Sequence, residues 1–132
     1  MKKILPLLLC LLLLGCTPRI REESYIISDG EGVEIERITD KEQVDILSHL
    51  LGDTADHAGD NASIGAVPDE DGLYTYTLVK KGQGVGTFRV YKDAPTLSLI
   101  PRNGPTISWT IDPKTHATLT NLEELHRALE VN

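Results

Sequence analysis

Cysteine is scarce in this chain and is confined to its beginning. The only two cysteines among the 132 residues are Cys10 and Cys16. The absence of any thiol after Cys16 excludes internal disulfides, a catalytic cysteine, an iron–sulfur cluster and a cysteine-rich zinc site from the rest of the chain. That part must therefore fold around its own apolar core. A segment of this length can bury roughly 60% of its unfolded surface, which is enough for one domain.

Basic residues are outnumbered by acidic ones. The chain has 13 Lys and Arg against 20 Asp and Glu, which gives a formal net charge of −7. This balance argues against nucleic acid as a partner and against a basic surface for anionic lipid head groups. The 25% of charged and 40% of hydrophobic residues are ordinary for a globular protein. We therefore expect a globular domain with no nucleic-acid partner.

An apolar run long enough to cross a membrane is also lacking. Ile4–Leu14 is apolar over 11 residues, whereas a membrane-spanning helix needs about twenty. Lys2 and Lys3 precede this run and Gly15 follows it, which is the pattern of an export signal. The pattern predicts that residues 1–15 are a cleaved signal peptide.

The end of this leader carries a more specific motif. Leu13-Leu14-Gly15-Cys16 resembles the lipobox of bacterial lipoproteins, in which signal peptidase II cuts before a cysteine that carries diacylglyceryl. The resemblance implies that Cys16 becomes the first residue and carries two or three acyl chains of the palmitate type, enough for a stable anchor. It also implies a domain outside the cytoplasm, anchored to the cell membrane or to an outer membrane. The alternatives are an ordinary secretory signal and an uncleaved signal anchor.

Beyond the leader the chain divides into a tether and one domain. Residues 16–23 are polar, contain Pro18 and show no periodicity, which favours a short lipidated tether. Residues 24–132 show no repeat and no internal boundary, so we expect a single small domain there. Loss of Lys2 and Lys3 with the leader changes the formal charge from −7 to −9.

The domain has strand patterns grouped around turn residues. The β-rich runs are Ser24–Ser28, Val33–Ile38, Leu73–Lys80, Val85–Tyr91, Thr96–Ile100 and Thr106–Ile111. Turn clusters between the first and second, the third and fourth, and the fifth and sixth runs predict three hairpins.

Two helix patterns interrupt and follow these strands. The first has Thr39 or Asp40 as its cap, apolar residues at helical spacing from Val44 to Leu51, and Gly52 at its expected end. The second opens with a capping box at residues 120–123. The order β-β-α-β-β-β-β-α predicts an α+β fold, a small antiparallel sheet of about six strands with two helices packed on one face.

The segment from Asp53 to Gly72 has no strong periodicity and is acidic. It contains six acids, one histidine and no basic residue, and structureless loops beyond about 15 residues are often functional. His57 with Asp53, Asp56 and Asp60 could offer ligands to a divalent ion. The spacing matches no metal motif of fixed geometry, so an acidic solvated loop is the competing interpretation and we assign no metal.

Sequence motifs for catalysis are missing. The glycine-rich stretch 82–86 precedes a strand pattern, whereas a phosphate cradle precedes a helix. Asp69-Glu70-Asp71-Gly72 resembles the start of an EF-hand, but the twelfth position is Lys80 instead of Glu. No Gly-x-Ser-x-Gly elbow is present, and His49, His116 and His126 are scattered. We therefore expect no enzyme and no cofactor.

Two further features each allow two interpretations. Trp109 is either a core residue or a platform on which a sugar could stack. Five basic residues around the hairpins either form one basic edge or protect exposed strand edges from pairing: Lys80, Lys81, Arg89, Lys92 and Arg102.

These observations favour a membrane-anchored lipoprotein that acts as a non-enzymatic interaction module of the cell envelope. Its partners would be membrane lipid, through acylated Cys16, and an envelope protein that contacts a sheet face or the acidic loop. The alternative is a lipoprotein that binds a small ligand or a divalent ion through residues 53–72, with Trp109 as a possible contributor. A hydrolase of envelope polymers ranks third.

Overall fold

A computed structural model describes residues 23–56, 58 and 62–130. The signal peptide predicted at 1–15, the lipidation site Cys16 and most of the tether lie outside the described residues, as do His57 and Asp60. The described residues form one seven-stranded antiparallel sheet and three helices. The α+β class predicted from the sequence is therefore confirmed.

The elements follow the predicted order apart from one added strand and one added helix. The strands are β1 Glu23–Asp29, β2 Glu34–Ile38, β3 Ser63–Ile64, β4 Gly72–Lys80, β5 Gln83–Tyr91, β6 Thr96–Pro101 and β7 Ile107–Thr110; the helices are α1 Lys41–Asp56, α2 Pro113–Thr120 and α3 Leu122–Leu129. The strand order across the sheet is β2-β1-β4-β5-β6-β7-β3. Within the described residues, no helix is both long enough and apolar enough to cross a membrane.

All three predicted hairpins are present, and local turn chemistry sets two of them. In the β1–β2 turn, Asp29 Oδ1 accepts hydrogen bonds from the backbone N–H groups of Glu31 and Val33, at 2.8 and 3.0 Å. In the β4–β5 hairpin only Lys81 and Gly82 connect the strands, and both have positive φ, 51° and 81°. Positive φ at both central residues is the signature of the type I′ turn, whose twist matches that of the strands.

Glycine at position 30 is required by a close approach of two chain segments. A Cβ atom there would lie 2.6 Å from the carbonyl oxygen of Gly72. No side chain fits in that space, so the β1–β2 turn can pass directly over the start of β4 only with glycine at this position.

One face of the sheet carries the core. Cross-strand pairing places Tyr25 opposite Leu78, Ile27 opposite Tyr76, and Val90 opposite both Tyr74 and Leu97. Directly paired residues point to the same side, and alternate residues along each strand follow them. The buried residues of the helices complete this core: Val44, Leu47, Leu51, Leu119, Leu125 and Leu129. Each fully buried leucine contributes about 2 kcal/mol of transfer free energy.

Three large aromatic side chains cross this core and end on the helix layer. The Tyr25 hydroxyl lies 2.9 Å from Ser48 Oγ on α1, and the Tyr76 hydroxyl donates to the Leu119 carbonyl at 2.7 Å. The Trp109 indole N–H donates to Thr54 Oγ1 at 2.9 Å. Burial raises the pKa of both tyrosines above their ordinary value. The three bonds fix how the helices lie on the sheet.

The two edge strands are short. β2 has five residues and β3 has two, and three of the five β2 residues are charged. Short, charged edges limit pairing with a second chain. Lys80 and Arg89 lie on the interior strands β4 and β5, and Arg102 directly follows the interior strand β6. These residues therefore do not protect a sheet edge.

The structure has one helix more than predicted. Residues 113–120 form α2, whereas we expected only a connection between the last strand and the final helix. Asp112 caps α2 through a 2.9 Å bond from the Thr115 N–H, which helps to lower the pKa of that carboxyl, and Pro113 occupies its first turn. The helix buries only Leu119, so its sequence lacks the apolar periodicity by which helices are recognised.

The end of α1 was also predicted wrongly. The helix continues through Gly52 to Asp56, so the acidic segment begins as helix and also contains β3. Thr54 explains the difference, because its hydroxyl donates to Leu51 O at 2.7 Å and accepts from Trp109. This tertiary contact offsets the roughly 1 kcal/mol that glycine costs inside a helix.

Replacement of Tyr76 by Phe tests the bond between sheet and helix layer. We expect Tyr76→Phe to lower the free energy of unfolding by about 1–2 kcal/mol, because the buried Leu119 carbonyl at the end of α2 loses its donor. Urea denaturation followed by circular dichroism measures this. Tyr74→Phe is the matched control, since Tyr74 shares the strand and face but makes no side-chain hydrogen bond among the described residues. Equal stability of the two variants would contradict the assignment.

Candidate binding groove

The second face of the sheet carries no helix, but one chain segment crosses part of it. After β3 pairs with β7, Gly65 N–H donates to the Thr106 carbonyl at 2.7 Å. Residues 66–71 then return to the opposite end of the sheet, where β4 begins. There Glu70 Oε2 accepts from the Asp93 N–H at 3.1 Å. We call residues 65–71 the crossing segment.

An open groove of about 430 Å³ lies between the crossing segment and strands β3, β6 and β7. Binding sites for small molecules commonly enclose about 300–1,000 Å³. The polar side chains that line it are four hydroxyls and two carboxylates: Ser63, Thr96, Ser108, Thr110, Asp69 and Glu70. Val67 and Pro68 add small apolar surfaces from the crossing segment.

Three buried hydroxyls form a chain that ends at this groove. The Tyr91 hydroxyl lies 2.8 Å from Ser98 Oγ, which lies 2.8 Å from Ser108 Oγ. Tyr91 is 1% exposed, Ser98 0% and Ser108 5%. The pairing of Ser98 with Ser108 across β6 and β7, and of Ser108 with Ser63 on β3, places this chain on the helix-free face. A polar network of this depth is stable only because its members bond to one another.

The groove is electrostatically one-sided. Asp69 and Glu70 line it, and among the described residues no Lys, Arg or His does. One Glu70 oxygen is engaged by the Asp93 backbone, which fixes the crossing segment against the β5–β6 connection. The negative charges that line the groove therefore favour a neutral or positively charged occupant over an anion.

Trp109 is a core residue, which confirms the first of its two interpretations. It contributes to the lining of the groove, but it is only 4% exposed and its indole N–H is bonded to Thr54 on the helix side. No open ring face remains on which a sugar could stack.

The acidic segment is divided among different structural environments. Asp53 and Asp56 belong to α1, whereas Asp69 and Glu70 belong to the crossing segment. In the part of the chain that the structure describes, no three His, Cys, Asp or Glu side chains are arranged to hold a metal ion. His57 and Asp60, the other two members of the predicted ion site, lie outside that part.

The predicted basic edge is not formed. Lys80 and Lys81 lie at one end of β4, where Lys80 is 3.4 Å from the Glu23 carboxylate, and Arg102 donates to Gln83 at 3.0 Å near the same end. Lys92 follows the opposite end of β5. Arg89 lies in the middle of β5 against Gly72.

The histidines lie apart as well. His116 Nε2 is 2.7 Å from the Tyr91 carbonyl, His126 Nε2 is 2.7 Å from Glu36 Oε1, and His49 Nδ1 is 2.9 Å from the Asp45 carbonyl of its own helix. These side chains serve different local contacts and do not converge on one site.

Sequence reasoning missed the hydroxyl chain. The available signal was a serine between apolar neighbours in two strand patterns, Leu97-Ser98-Leu99 and Ile107-Ser108-Trp109. Alternation assigns those serines to the face away from the core, where hydroxyls are ordinarily exposed. In the folded domain both serines are instead buried.

No family model, curated protein or solved structure matches this chain. The groove must therefore be interpreted from its own chemistry.

Substitution of Ser98 tests the hydroxyl chain, because this residue is its central member. We expect Ser98→Ala to destabilise the domain by about 1–3 kcal/mol, since Tyr91 and Ser108 each lose a buried partner. Chemical denaturation of both variants is the measurement. Ser24→Ala on the same face is the control, because Ser24 makes no side-chain hydrogen bond within the described residues. If Ser98→Ala lowered the free energy of unfolding by less than Ser24→Ala does, the structural role of the hydroxyl chain would be refuted.

Proposed function

We propose that this protein is a lipid-anchored, non-enzymatic interaction module on the outer side of a bacterial membrane. The leader supports the anchor, because Lys2 and Lys3, the apolar run Ile4–Leu14 and Gly15-Cys16 stand in the order of a lipoprotein signal. Two or more acyl chains on Cys16 hold a protein stably on a bilayer.

The short tether limits how far the domain extends. Six residues separate Cys16 from Glu23, and an extended chain covers at most about 3.6 Å per residue. The first residue of β1 would therefore stay within roughly 25 Å of the membrane surface. Glu23 lies beside Lys80 at one end of the sheet, whereas Thr96 and Thr110 of the groove lie at the other. The groove would thus be presented away from the anchor.

The observation that carries the interaction role is the sheet face without helices. All three helices cover the opposite face, and the crossing segment covers only the β6–β7 side. Across β1, β4 and β5 the remaining face presents mainly Ser and Thr with a few apolar and basic residues, such as Ile26 and Arg89, paired in register. A flat, mixed polar and apolar surface of this kind resembles the surfaces by which proteins associate reversibly.

Binding of a small ligand is a second candidate function. The groove between the crossing segment and β7 favours it, because the buried Ser108 hydroxyl, three more accessible hydroxyls and two carboxylates meet there. The two roles use different parts of the same face and do not exclude each other.

Replacement of the anchoring residue tests the lipoprotein assignment. We expect Cys16→Ser to abolish incorporation of labelled palmitate and to move the protein from the membrane fraction to the soluble fraction or to leave it uncleaved. Cys10→Ser is the matched control, because Cys10 precedes the cleavage site and should have no effect. Palmitate labelling that survives Cys16→Ser would overturn the anchor.

Site-specific photo-crosslinking in the native membrane tests the interaction face. A photoreactive amino acid at Thr75, on the helix-free face, should capture a discrete envelope protein. The same group at His49, on the exposed side of α1, should not. Mass spectrometry identifies the product. Capture at both positions, or at His49 alone, would remove the helix-free face as the partner surface.

A further inference from the structure

The proton count of the buried hydroxyl chain points to an acceptor in the groove. Tyr91, Ser98 and Ser108 bring three O–H donors, and the two contacts between them use two of these. The third proton belongs to whichever hydroxyl does not donate within the chain, and it has no acceptor among the described residues. A buried O–H without an acceptor costs free energy.

Tyr91 is 1% exposed, whereas Ser108 lines the groove. The arrangement in which Tyr91 donates to Ser98 and Ser98 donates to Ser108 is the one that leaves the remaining proton at the groove. An occupant with an acceptor oxygen would select this arrangement, in which Ser108 donates to that oxygen.

The side of the groove formed by the crossing segment is suited to a different chemical group on the ligand. Asp69 belongs to the crossing segment, and no basic side chain in the described part of the protein lines the groove. At neutral pH this carboxylate accepts hydrogen bonds and attracts positive charge. The occupant that suits both walls has an acceptor oxygen for Ser108 and a cationic N–H group for Asp69.

We propose that this groove binds a small hydroxylated organic ammonium compound, of the amino-sugar or amino-alcohol class. Thr96, Thr110 and Ser63 add hydroxyls that bond to the hydroxyl groups of such a ligand, and Val67 and Pro68 contact its carbon skeleton. The described part of the chain holds no cluster of three metal-ligating side chains. The inference deepens the second candidate function and does not depend on the sheet-face partner.

Calorimetric titration of the full-length lipidated protein in detergent tests the ligand class. The probes are glucosamine, glucose and galacturonic acid at about pH 6, where glucosamine is protonated and carboxylates are ionised. We expect glucosamine to bind at least about fivefold more tightly than glucose, because one exposed charge pair supplies roughly that factor. Galacturonic acid should bind most weakly of the three.

Two isosteric variants locate the charge. Asp69→Asn should lower the affinity for glucosamine to that for glucose. Asp71→Asn is the control, because it removes the same charge from an exposed neighbour that does not line the groove. This control should leave the affinity for glucosamine unchanged. Thr110→Val should weaken binding of both sugars without touching the buried hydroxyl chain. Melting curves of each variant confirm that it is folded.

Several results would overturn the inference. Equal affinity for glucosamine and glucose would show that the ligand needs no ammonium group. Binding heat on titration with calcium, but not with glucosamine, would make the groove an ion site. Absence of binding by all three sugars to a protein that incorporates palmitate and captures its partner would refute the groove as a ligand site, while leaving the lipid-anchored interaction role intact.

Discussion

Burial of one sheet face beneath all three helices is the constraint on which the rest of this structure depends. Side chains alternate along a strand, so each residue that enters the core leaves its neighbours on the other face. The core residues Tyr25, Ile27 and Tyr76 thus determine that the intervening Ser and Thr residues face away from the helices. The helix-free face and the groove are both consequences of this alternation.

Polar tips on large apolar side chains make that burial specific. Apolar contact alone would allow a helix to slide on the sheet, because the hydrophobic effect has no direction. Tyr25, Tyr76 and Trp109 each end in a hydrogen bond to the helix layer. The same bond that positions α1 through Thr54 keeps the helix regular past Gly52, which links the packing of the core to the start of the acidic segment.

The groove exists because the crossing segment returns over a face that would otherwise be solvated. Along its path from β3 to β4 it lines the groove together with Ser108, which is bonded to Ser98 and, through Ser98, to Tyr91. The cost of burying these hydroxyls is offset by the bonds within the hydroxyl chain. A domain built in this way has its apolar core on one face of the sheet and leaves part of the opposite face without helices.

The amino-acid sequence by itself determined the leader motif, the fold class, six of the seven strands and the three hairpins. Period-two alternation and turn residues are local properties, so Asp29 and Lys81-Gly82 specify their turns wherever the strands lie in the sheet. The strand order, the length of α1 beyond Gly52, the existence of α2 and the groove lined by Ser108 and Asp69 depended on the tertiary structure. Each of these rests on contacts between residues far apart in the chain, such as Thr54 with Trp109, and local patterns contain no record of such contacts.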